Sequence, residues 1–350
     1  MNIKDKINSF DPNALGDANN NIFGLPFTTD EAKLVIIPIP WEVTVSYKGG
    51  TALGPQSIFD ASFQVDLFDP KIPDAWKIGI AMEPVSIDIA KKSESLRSKS
   101  EVYIKLLEEG ESPVTNSDMA KILTAVNTGC LELNTWVKNK SLAFLNENKI
   151  IALLGGDHST PLGLIQALAE KNTSFAILQI DAHADLRDAY EGFEFSHASI
   201  MYNALKIPQV SKLVQVGIRD YCEFEYNLIK NSNGRILTFF DRDIKNKQYD
   251  GATWSTICND IISQLPDNIY LSFDIDGLDP KLCPNTGTPV AGGFEFEQIL
   301  MLIEKIIDSG KRIIAFDLNE VAPGADEWDA NVGARLLYRI ANMVAKSNAM

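Results

Sequence analysis

The chain alternates short apolar runs with longer segments in which apolar residues recur at helical spacing. The runs are rich in β-branched residues and predict eight strands. The predicted strands are "KLVIIPI" (33–39), "KIGIAM" (77–82), "IIALLG" (150–155), "FAILQI" (175–180), "KLVQVG" (212–217), "RILTFF" (235–240), "IYLSFDI" (269–275) and "RIIAFDL" (312–318). Strands that alternate with helices predict an α/β protein whose parallel sheet is covered on both faces.

Two segments differ from this pattern. Residues 1–33 are rich in Asn, Asp and Pro, and predict an N-terminal arm outside the core. Residues 34–350 then predict a single domain. Within it, residues 90–147 are charged and helix-prone around a loop at "GESPVTNSD", which predicts a helical insert on the surface rather than a second domain.

Composition narrows the classes of function. A formal net charge of −15 argues against binding to nucleic acid or anionic membranes and is compatible with a cationic ligand. No apolar run approaches the roughly 20 residues of a membrane-spanning helix. The terminus "MNIKDKINSFDPN" has no secretory pattern, and the four cysteines form no Cys-x-x-Cys pair. A cytoplasmic location is therefore the default expectation.

Titratable side chains collect where the predicted strands end. In "AILQIDAHAD" (176–185), Asp181, His183 and Asp185 are spaced two apart, so an extended chain projects them to one side. Carboxylates held this close repel each other, and a bound cation removes that penalty. Ligand sites in open parallel sheets form at the carboxyl ends of the strands, so neighbouring strands should supply further ligands.

Three other strand ends supply them: "IIALLGGDHSTP" brings His158, "IYLSFDIDGLDP" brings Asp274 and Asp276, and "RIIAFDLNEVAP" brings Glu320. The candidate ligands are His158, Asp181, His183, Asp185, Asp274 and Asp276. Four carboxylates and two imidazoles suit a pair of divalent ions about 3.5–4 Å apart. Oxygen and imidazole ligands without thiolate favour Mn²⁺, with Fe²⁺, Ni²⁺, Co²⁺ or Zn²⁺ as alternatives.

These motifs carry a family resemblance. "GGDHS", "DAHADLR" and "SFDIDGLDP" resemble the three metal motifs of the ureohydrolases, the family of arginases and agmatinases. "YKGGTALGPQSI" (47–58), "GTPVAGG" (287–293) and "NEVAP" (319–323) resemble its Gly-Pro, substrate-side and late acidic motifs, so the similarity covers about residues 34 to 345. The resemblance implies a three-layer αβα arginase-like fold around an eight-stranded parallel sheet, two Mn²⁺ per chain, and a homo-oligomer, either trimer or hexamer.

The resemblance also implies residue roles. The six candidates above would be the metal ligands. Glu320 would pair with the guanidinium of a small cationic guanidino substrate, and His197 would be an acid/base residue near the pocket. Hydrolysis of the guanidino C–N bond leaves an amine that needs a proton, which either Asp185 or His197 could deliver.

The segment after Asp185 is where the substrate tail would be bound. It reads "LRDAYEGFEFSHAS", which resembles bacterial agmatinases rather than the Asn- and Ser-rich stretch of arginases. Glu191 and Glu194 would favour an amine tail or would lie on a solvated loop, whereas Arg187 would suit a carboxylate tail or would pair with Asp188 or Glu191. The leading hypothesis is agmatinase, which converts agmatine to putrescine and urea. Arginase, guanidinobutyrase and formimidoylglutamase are the alternatives within the family.

Two other classes of function stay open. A metal-dependent deacylase on a related fold would need one metal and a sparser ligand set, and the six ligands present here argue against it. A non-catalytic binding protein on the same fold should have lost ligands, and none is missing here. Metal stoichiometry separates these classes, because about two ions per chain supports hydrolysis.

Overall fold

The computed structural model describes residues 2–348, and its strands form one sheet of eight parallel members. The strands are β1 (Leu34–Pro38), β2 (Ile80–Met82), β3 (Ile150–Leu154), β4 (Phe175–Ile180), β5 (Val210–Val216), β6 (Ile236–Phe239), β7 (Asn268–Asp274) and β8 (Arg312–Asn319). Their order across the sheet is β2-β1-β3-β8-β7-β4-β5-β6. The predicted α/β class and its eight strands are therefore confirmed.

Helices cover both faces of the sheet. They are α1 (Ile3–Ser9), α2 (Gly54–Ser62), α3 (Ile87–Glu108), α4 (Ser117–Asn146), α5 (Leu162–Lys171), α6 (Ile200–Ala204), α7 (Glu223–Lys230), α8 (Asp241–Tyr249), α9 (Trp254–Ile262), α10 (Phe296–Asp308) and α11 (Trp328–Ser347). Alternate strand residues point to opposite faces, so Leu34 and Ile36 join one apolar cluster with α2, α8, α9, α10 and α11. Val35 and Ile37 join a second cluster with α3, α4, α5 and α6. The fold is therefore three-layered.

The second predicted strand is shorter than "KIGIAM" suggests. Only Ile80–Met82 is extended, while Ala75–Ile78 forms a short 3₁₀ turn that ends at Gly79, with φ 80°. Trp76 is buried in this turn and its ring lies 4.9 Å from that of Phe10. Burial of the indole therefore takes the place of strand pairing at this point.

Part of the predicted N-terminal arm is not outside the core. Ile22, Phe23, Leu25 and Phe27 are all at most 2% exposed. The Phe23 ring meets the edge of Tyr338, and the side chain of Asn21 pairs with the backbone of Met82 on the edge strand β2. The apolar stretch "IFGLPF" therefore fills the core beside the sheet edge.

The helical segment predicted near residues 90–147 forms α3 and α4. These helices are more than surface additions, because their inner side chains, among them Leu96, Val126 and Leu133, are buried with strands β1 and β3. In the described part of the chain, no helix combines the length and apolar character needed to cross a membrane. The central strands β3, β8, β7 and β4 end at the same edge, which is where the polar motifs lie.

Candidate active site

The six predicted ligands meet at the carboxyl edge of the central strands. Around His158, which follows β3, three carboxylates from other strands converge. Its Nδ1 lies 3.0 Å from Oδ2 of Asp181, 3.0 Å from Oδ2 of Asp185 and 3.4 Å from Oδ2 of Asp274. The carboxyl edge of the sheet therefore brings together residues that are more than a hundred positions apart in the sequence, as the sequence analysis predicted.

A second cluster lies beside the first. Nδ1 of His183 is 2.9 Å from Oδ2 of Asp276 and 3.7 Å from Oδ1 of Asp181. Potential ligand atoms of His158, Asp181 and Asp185 lie within 4.8 Å of one another, as do those of Asp181, His183 and Asp276. Asp181 belongs to both groups and turns one oxygen to each, as a carboxylate that bridges two ions would.

The donor atoms fit a pair of cations. Nδ1 of His158 is buried and makes no hydrogen bond within the described residues, although three carboxylate oxygens surround it. The other ring nitrogen, Nε2, lies 2.9 Å from Oγ of Ser272. An imidazole held at one nitrogen and directed at carboxylates with the other has the arrangement of a metal ligand.

The pKa shifts agree with a site made for cations. Burial raises the pKa of Asp185 to about 7, and Asp181 adds to the effect. Burial, followed by Asp276 and Asp181, raises the pKa of Asp274 well above its usual range. Burial opposes ionisation of Asp181, but His158 and His183 outweigh it and lower the pKa of that carboxyl. Divalent cations would stabilise all of these carboxylates in the charged form.

Two of these residues have strained backbones. Asp185 has φ 54° and Glu320 has φ 65°, and residues other than glycine adopt this region at a cost of about 1–3 kcal/mol. Hydrogen bonds hold both in place. The carbonyl of Asp185 accepts from the N–H groups of Met201 and Tyr202, and the N–H of Glu320 donates to Gly156. Strain held in this way is typical of functional positions.

Glu320 lies beside the clusters after β8. Its Oε1 accepts the backbone N–H of His158 at 2.9 Å, and its Oε2 would lie 3.1 Å from a Cβ placed at Gly287. Burial, then the negative charge of Asp157, raises the pKa of Glu320 well above its usual range. A buried carboxyl of this kind is complementary to a cationic group.

A cleft of about 170 Å³ opens above the clusters. Its lining consists of Ser46, His183, Asp185, Arg187, Tyr190, His197, Ala198, Asp220, Tyr221, Glu225 and Thr288. His183 and Asp185 therefore connect the clusters to the open space. Glu320 does not line this cleft and lies beside Gly287, next to Thr288.

Arg187 and His197 both face the cleft. The guanidinium of Arg187 lies 4.9 Å from the ring centre of Tyr190, and its Nε is 4.0 Å from Oε2 of Glu225. Burial, followed by the nearby His183 and His158, lowers the pKa of His197 to about 3. His197 is therefore neutral at working pH.

The structure does not bring Glu191 and Glu194 to the cleft lining. Tyr190 and Phe193 exchange backbone hydrogen bonds, so Glu191 and Gly192, with φ 55° and 86°, form the tip of a two-residue turn. The tip packs on α3, where the hydroxyl of Tyr103 donates to the carbonyl of Glu191. Glu194 is exposed. Both residues therefore lie outside the cleft lining.

The sequence analysis missed three residues of the lining. Asp220 and Tyr221 follow β5 in "GIRDY", and the strand-end rule applied to that strand would have found them. Glu225 lies in the first turn of α7, where its oxygens accept the N–H groups of Leu186 and Cys222 at 3.0 and 2.8 Å. The sequence around Glu225 indicates only a helix-capping residue, so it gives no sign that Glu225 lines a cleft.

Two further side chains hold the surrounding loops. Oε2 of Glu42 accepts from the backbone N–H of Gly50 and of Ala52, at 2.6 and 3.0 Å, which fixes the loop that leads from Ser46. The guanidinium of Arg219 donates to the carbonyls of Asp276 and Val290. This contact ties the "GTPVAGG" loop to the end of β7.

Comparison with known proteins identifies the class. The model of the arginase family matches residues 32–342, and the chain belongs to that family, the ureohydrolases. It is accordingly a hydrolase that acts on guanidino compounds. The chain is 30% identical over 320 residues to N(1)-aminopropylagmatine ureohydrolase of Thermococcus kodakarensis, covering 91% of this chain and 92% of that protein. It is 26% identical over 301 residues to agmatinase of Bacillus cereus, covering 86% and 87%.

Solved structures agree on the fold. The agmatine ureohydrolase of Thermoplasma volcanium superposes with a TM-score of 0.70 at 22% identity, covering 99% of both chains. The formimidoylglutamase of Bacillus subtilis gives a TM-score of 0.67 at 17% identity, covering 98% of both. Relatives that act on different substrates thus share this architecture, so the substrate has to be argued from the cleft.

Proposed function

We propose that the protein is a binuclear manganese hydrolase of guanidino compounds with an amine tail, and that agmatine is its substrate. One observation carries this proposal: two clusters that share Asp181 lie beneath a cleft whose wall holds the carboxylates Asp220 and Glu225. The clusters suit cleavage at the guanidinium carbon, and the wall suits a positively charged tail. The products would be putrescine and urea.

His158, Asp181, His183, Asp185, Asp274 and Asp276 would hold the two ions. Four carboxylates and two imidazoles favour Mn²⁺ over the softer metals that prefer thiolate. When bound, a pair of such ions supplies Lewis-acid activation of water near neutral pH. The orphaned Nδ1 of His158 and the shared position of Asp181 support this assignment.

Glu320 would bind the guanidinium through charge-assisted hydrogen bonds. Burial raises the pKa of this carboxyl well above its usual range, so a cationic substrate would favour the ionised form of Glu320. One oxygen already accepts from His158, which leaves the other free to orient the planar group. The reacting carbon would thereby be held over the two clusters.

The leaving amine needs a proton, and two groups that line the cleft are candidates. Asp185 lines the cleft, and an oxygen of its carboxylate that is not used to hold an ion would accept a proton and pass it to the leaving amine. His197 is neutral and able to accept a proton and pass it on. Both residues line the same small cleft, so both are candidates for the group that protonates the amine.

The tail would lie along the wall formed by Asp220, Tyr221 and Glu225. Arg187 brings a positive charge to this wall, but Glu225 lies 4.0 Å from its Nε and Tyr190 stacks on its guanidinium. With Asp220 and Glu225 against the single guanidinium of Arg187, these three charged residues of the wall carry a net negative charge that favours an amine tail. A second candidate substrate is N(1)-aminopropylagmatine, because curated relatives bear that name and two carboxylates suit a tail with two amines.

The test is hydrolysis by Mn²⁺-loaded protein of agmatine, N(1)-aminopropylagmatine, arginine, guanidinobutyrate and formimidoylglutamate, with products separated by chromatography. We expect the two amine-tailed compounds to give the highest kcat/KM. Turnover of a carboxylate-tailed compound alone would contradict the proposed substrate. Metal analysis should find about two ions per chain. The cytoplasmic location and the homo-oligomer, trimer or hexamer, stay predictions.

A further inference from the structure

A row of five polar side chains crosses the sheet on the face that carries the clusters, one step further into the protein. The row, called the polar row below, consists of Thr238 on β6, Gln215 on β5, Gln179 on β4, Ser272 on β7 and Asp317 on β8. Each member is the registered partner of the next across adjacent strands. Gln179 precedes Asp181 by two residues and Ser272 precedes Asp274 by two, so row and ligands share a face.

The row is unusual for its position. Gln215, Gln179, Ser272 and Asp317 are all 0% exposed, at a depth where parallel strands are normally apolar. A buried polar group costs about 1–3 kcal/mol when it is left unpaired, so such groups are retained where their hydrogen bonds are satisfied and useful. We therefore expect these hydrogen bonds to hold particular groups in place.

The β6-β5-β4 half of the row ends on the shared carboxylate. The hydroxyl of Thr238 donates to Oε1 of Gln215 at 2.7 Å, and Nε2 of Gln215 donates to Oε1 of Gln179 at 2.7 Å. Nε2 of Gln179 then donates to Oδ2 of Asp181 at 2.8 Å. The two amides also donate to the carbonyls of Ala184 and His183. This half therefore holds both the carboxylate that the two clusters share and the backbone that carries His183 and Asp185.

The β7-β8 half selects a tautomer of His158. The hydroxyl of Ser272 donates to Oδ1 of Asp317 at 3.1 Å, and the hydroxyl of Tyr270 and the amide of Asn319 donate to the same carboxylate. Because the proton of Ser272 is directed to Asp317, its oxygen is left to accept from Nε2–H of His158, 2.9 Å away. In the neutral imidazole that binds a metal, a proton on Nε2 leaves the lone pair on Nδ1, the atom that faces Asp181, Asp185 and Asp274.

We propose that the polar row positions the metal ligands, with Gln179 orienting Asp181 and Ser272 fixing the ligating tautomer of His158. The inference rests on the proposed metal-dependent function. The row's members are positioning residues, because none of them lines the cleft and each acts through a ligand or through another member of the row. Loss of such outer partners typically costs about 10- to 100-fold in metal affinity.

The test is calorimetric titration of the metal-free protein with Mn²⁺ in the absence of substrate. Gln179→Leu and Ser272→Ala should each weaken binding of at least one ion by about 10- to 100-fold. Ile177→Leu is the matched control: it changes a buried side chain on the same face of β4 that lies outside the row, and should leave affinity unchanged. Thermal denaturation of the metal-free variants separates this effect from general loss of stability.

Substitutions of Thr238, the member of the row farthest from Asp181, give a second test. Thr238→Val should lower metal affinity by less than Gln179→Leu, and should have no further effect in the Gln179→Leu background, because the connection to Asp181 is already broken. If Gln179→Leu fails to fold, Gln215→Leu interrupts the same connection one strand further from the ligand. Thr238→Ser keeps the hydroxyl and should bind both ions as the wild type does.

Wild-type affinity for both ions in Gln179→Leu and Ser272→Ala would overturn the inference, and so would an equal loss in Ile177→Leu. Neither result depends on a substrate. A wild-type protein that binds two ions but hydrolyses no guanidino compound would instead overturn the proposed function, while weakened binding in the variants would still support the positioning role of the row.

Discussion

The floor and the wall of the cleft are built in different ways. The floor comprises the six candidate ligands, which lie at strand ends or within five residues after them, and all except His183 are buried. The wall comprises loop and helix-start residues, namely Ser46, Arg187, Tyr190, Asp220, Tyr221, Glu225 and Thr288. The segment 181–185 is not extended as predicted, because β4 ends at Ile180 and Asp185 has φ 54°. The floor residues meet because parallel strands bring their carboxyl ends to one edge of the sheet, whereas the direction of a side chain in a loop depends on the turn that carries it.

This difference separates the reaction, which is common to all substrates, from recognition of the substrate tail. A change in the floor should affect every substrate, because every substrate needs the same two clusters. A change in the wall should affect substrates according to their tails. Variants of the floor and of the wall therefore test whether this division holds.

Asp181→Asn should abolish activity on all substrates. Asp181 belongs to both clusters, so the change removes charge from both and costs more than the roughly 100-fold that loss of an outer partner costs. Metal analysis and kcat/KM for agmatine are the measurements. Asp250→Asn, at an exposed position after α8, is the matched control and should retain both ions and activity. Two tightly bound ions and normal turnover in Asp181→Asn would refute the shared-ligand assignment.

Glu320→Gln should lower kcat/KM by about 10- to 100-fold for every guanidino substrate, since a hydrogen bond to a charged group contributes about 1.5–3 kcal/mol. Glutamine retains an oxygen that can accept from His158, so the metal content should not change. Steady-state kinetics together with metal analysis make the measurement. A loss confined to substrates with one type of tail would indicate that Glu320 contacts the tail rather than the guanidinium.

Glu225→Gln should raise the KM for agmatine by about tenfold, which corresponds to about 1.4 kcal/mol of lost attraction for the amine tail. The KM for guanidinobutyrate should stay constant or fall, because Arg187 loses its acidic neighbour. Glu223→Gln is the matched control on the exposed side of the same helix turn. An equal rise in KM for both substrates would show that Glu225 supports the loop without sensing charge.

The same division explains how much could be predicted from sequence. The eight strands and all six floor residues follow from local patterns, because each motif ends a strand and the sheet joins the strand ends. The direction of Glu191 depends on a turn that packs on Tyr103, 88 residues earlier in the chain. Burial of Phe23 depends on Tyr338, at the other end of the chain. The polar row depends on register across five strands, which no single segment encodes.

His197 lies where floor and wall meet, and its protonation is testable through stability. Its pKa of about 3 in the folded protein is below the ordinary value of 6.5, so the unfolded chain binds a proton that the folded chain does not. The stabilising contribution is complete above pH 6.5 and is lost as the pH falls toward 3. Urea denaturation of metal-free protein at pH 5 and 7.5 should show a smaller loss of stability in His197→Asn than in the wild type. Identical losses would mean that His197 titrates normally and is open to solvent.

Glu194→Gln should have the smallest effect, less than about twofold in kcat/KM for any substrate, because surface substitutions away from special contacts usually change free energies by no more than about 0.5 kcal/mol. The side chain of Glu194 is exposed, and its backbone N–H and carbonyl are held by Asn127 and Asn203, so the substitution leaves the local fold intact. Steady-state kinetics with agmatine and guanidinobutyrate make the measurement. A tenfold rise in KM for agmatine alone would mean that the turn at residues 190–193 rearranges to bring this carboxylate to the tail. The wall would then change its conformation when the substrate binds, whereas the buried floor is expected to keep the same arrangement.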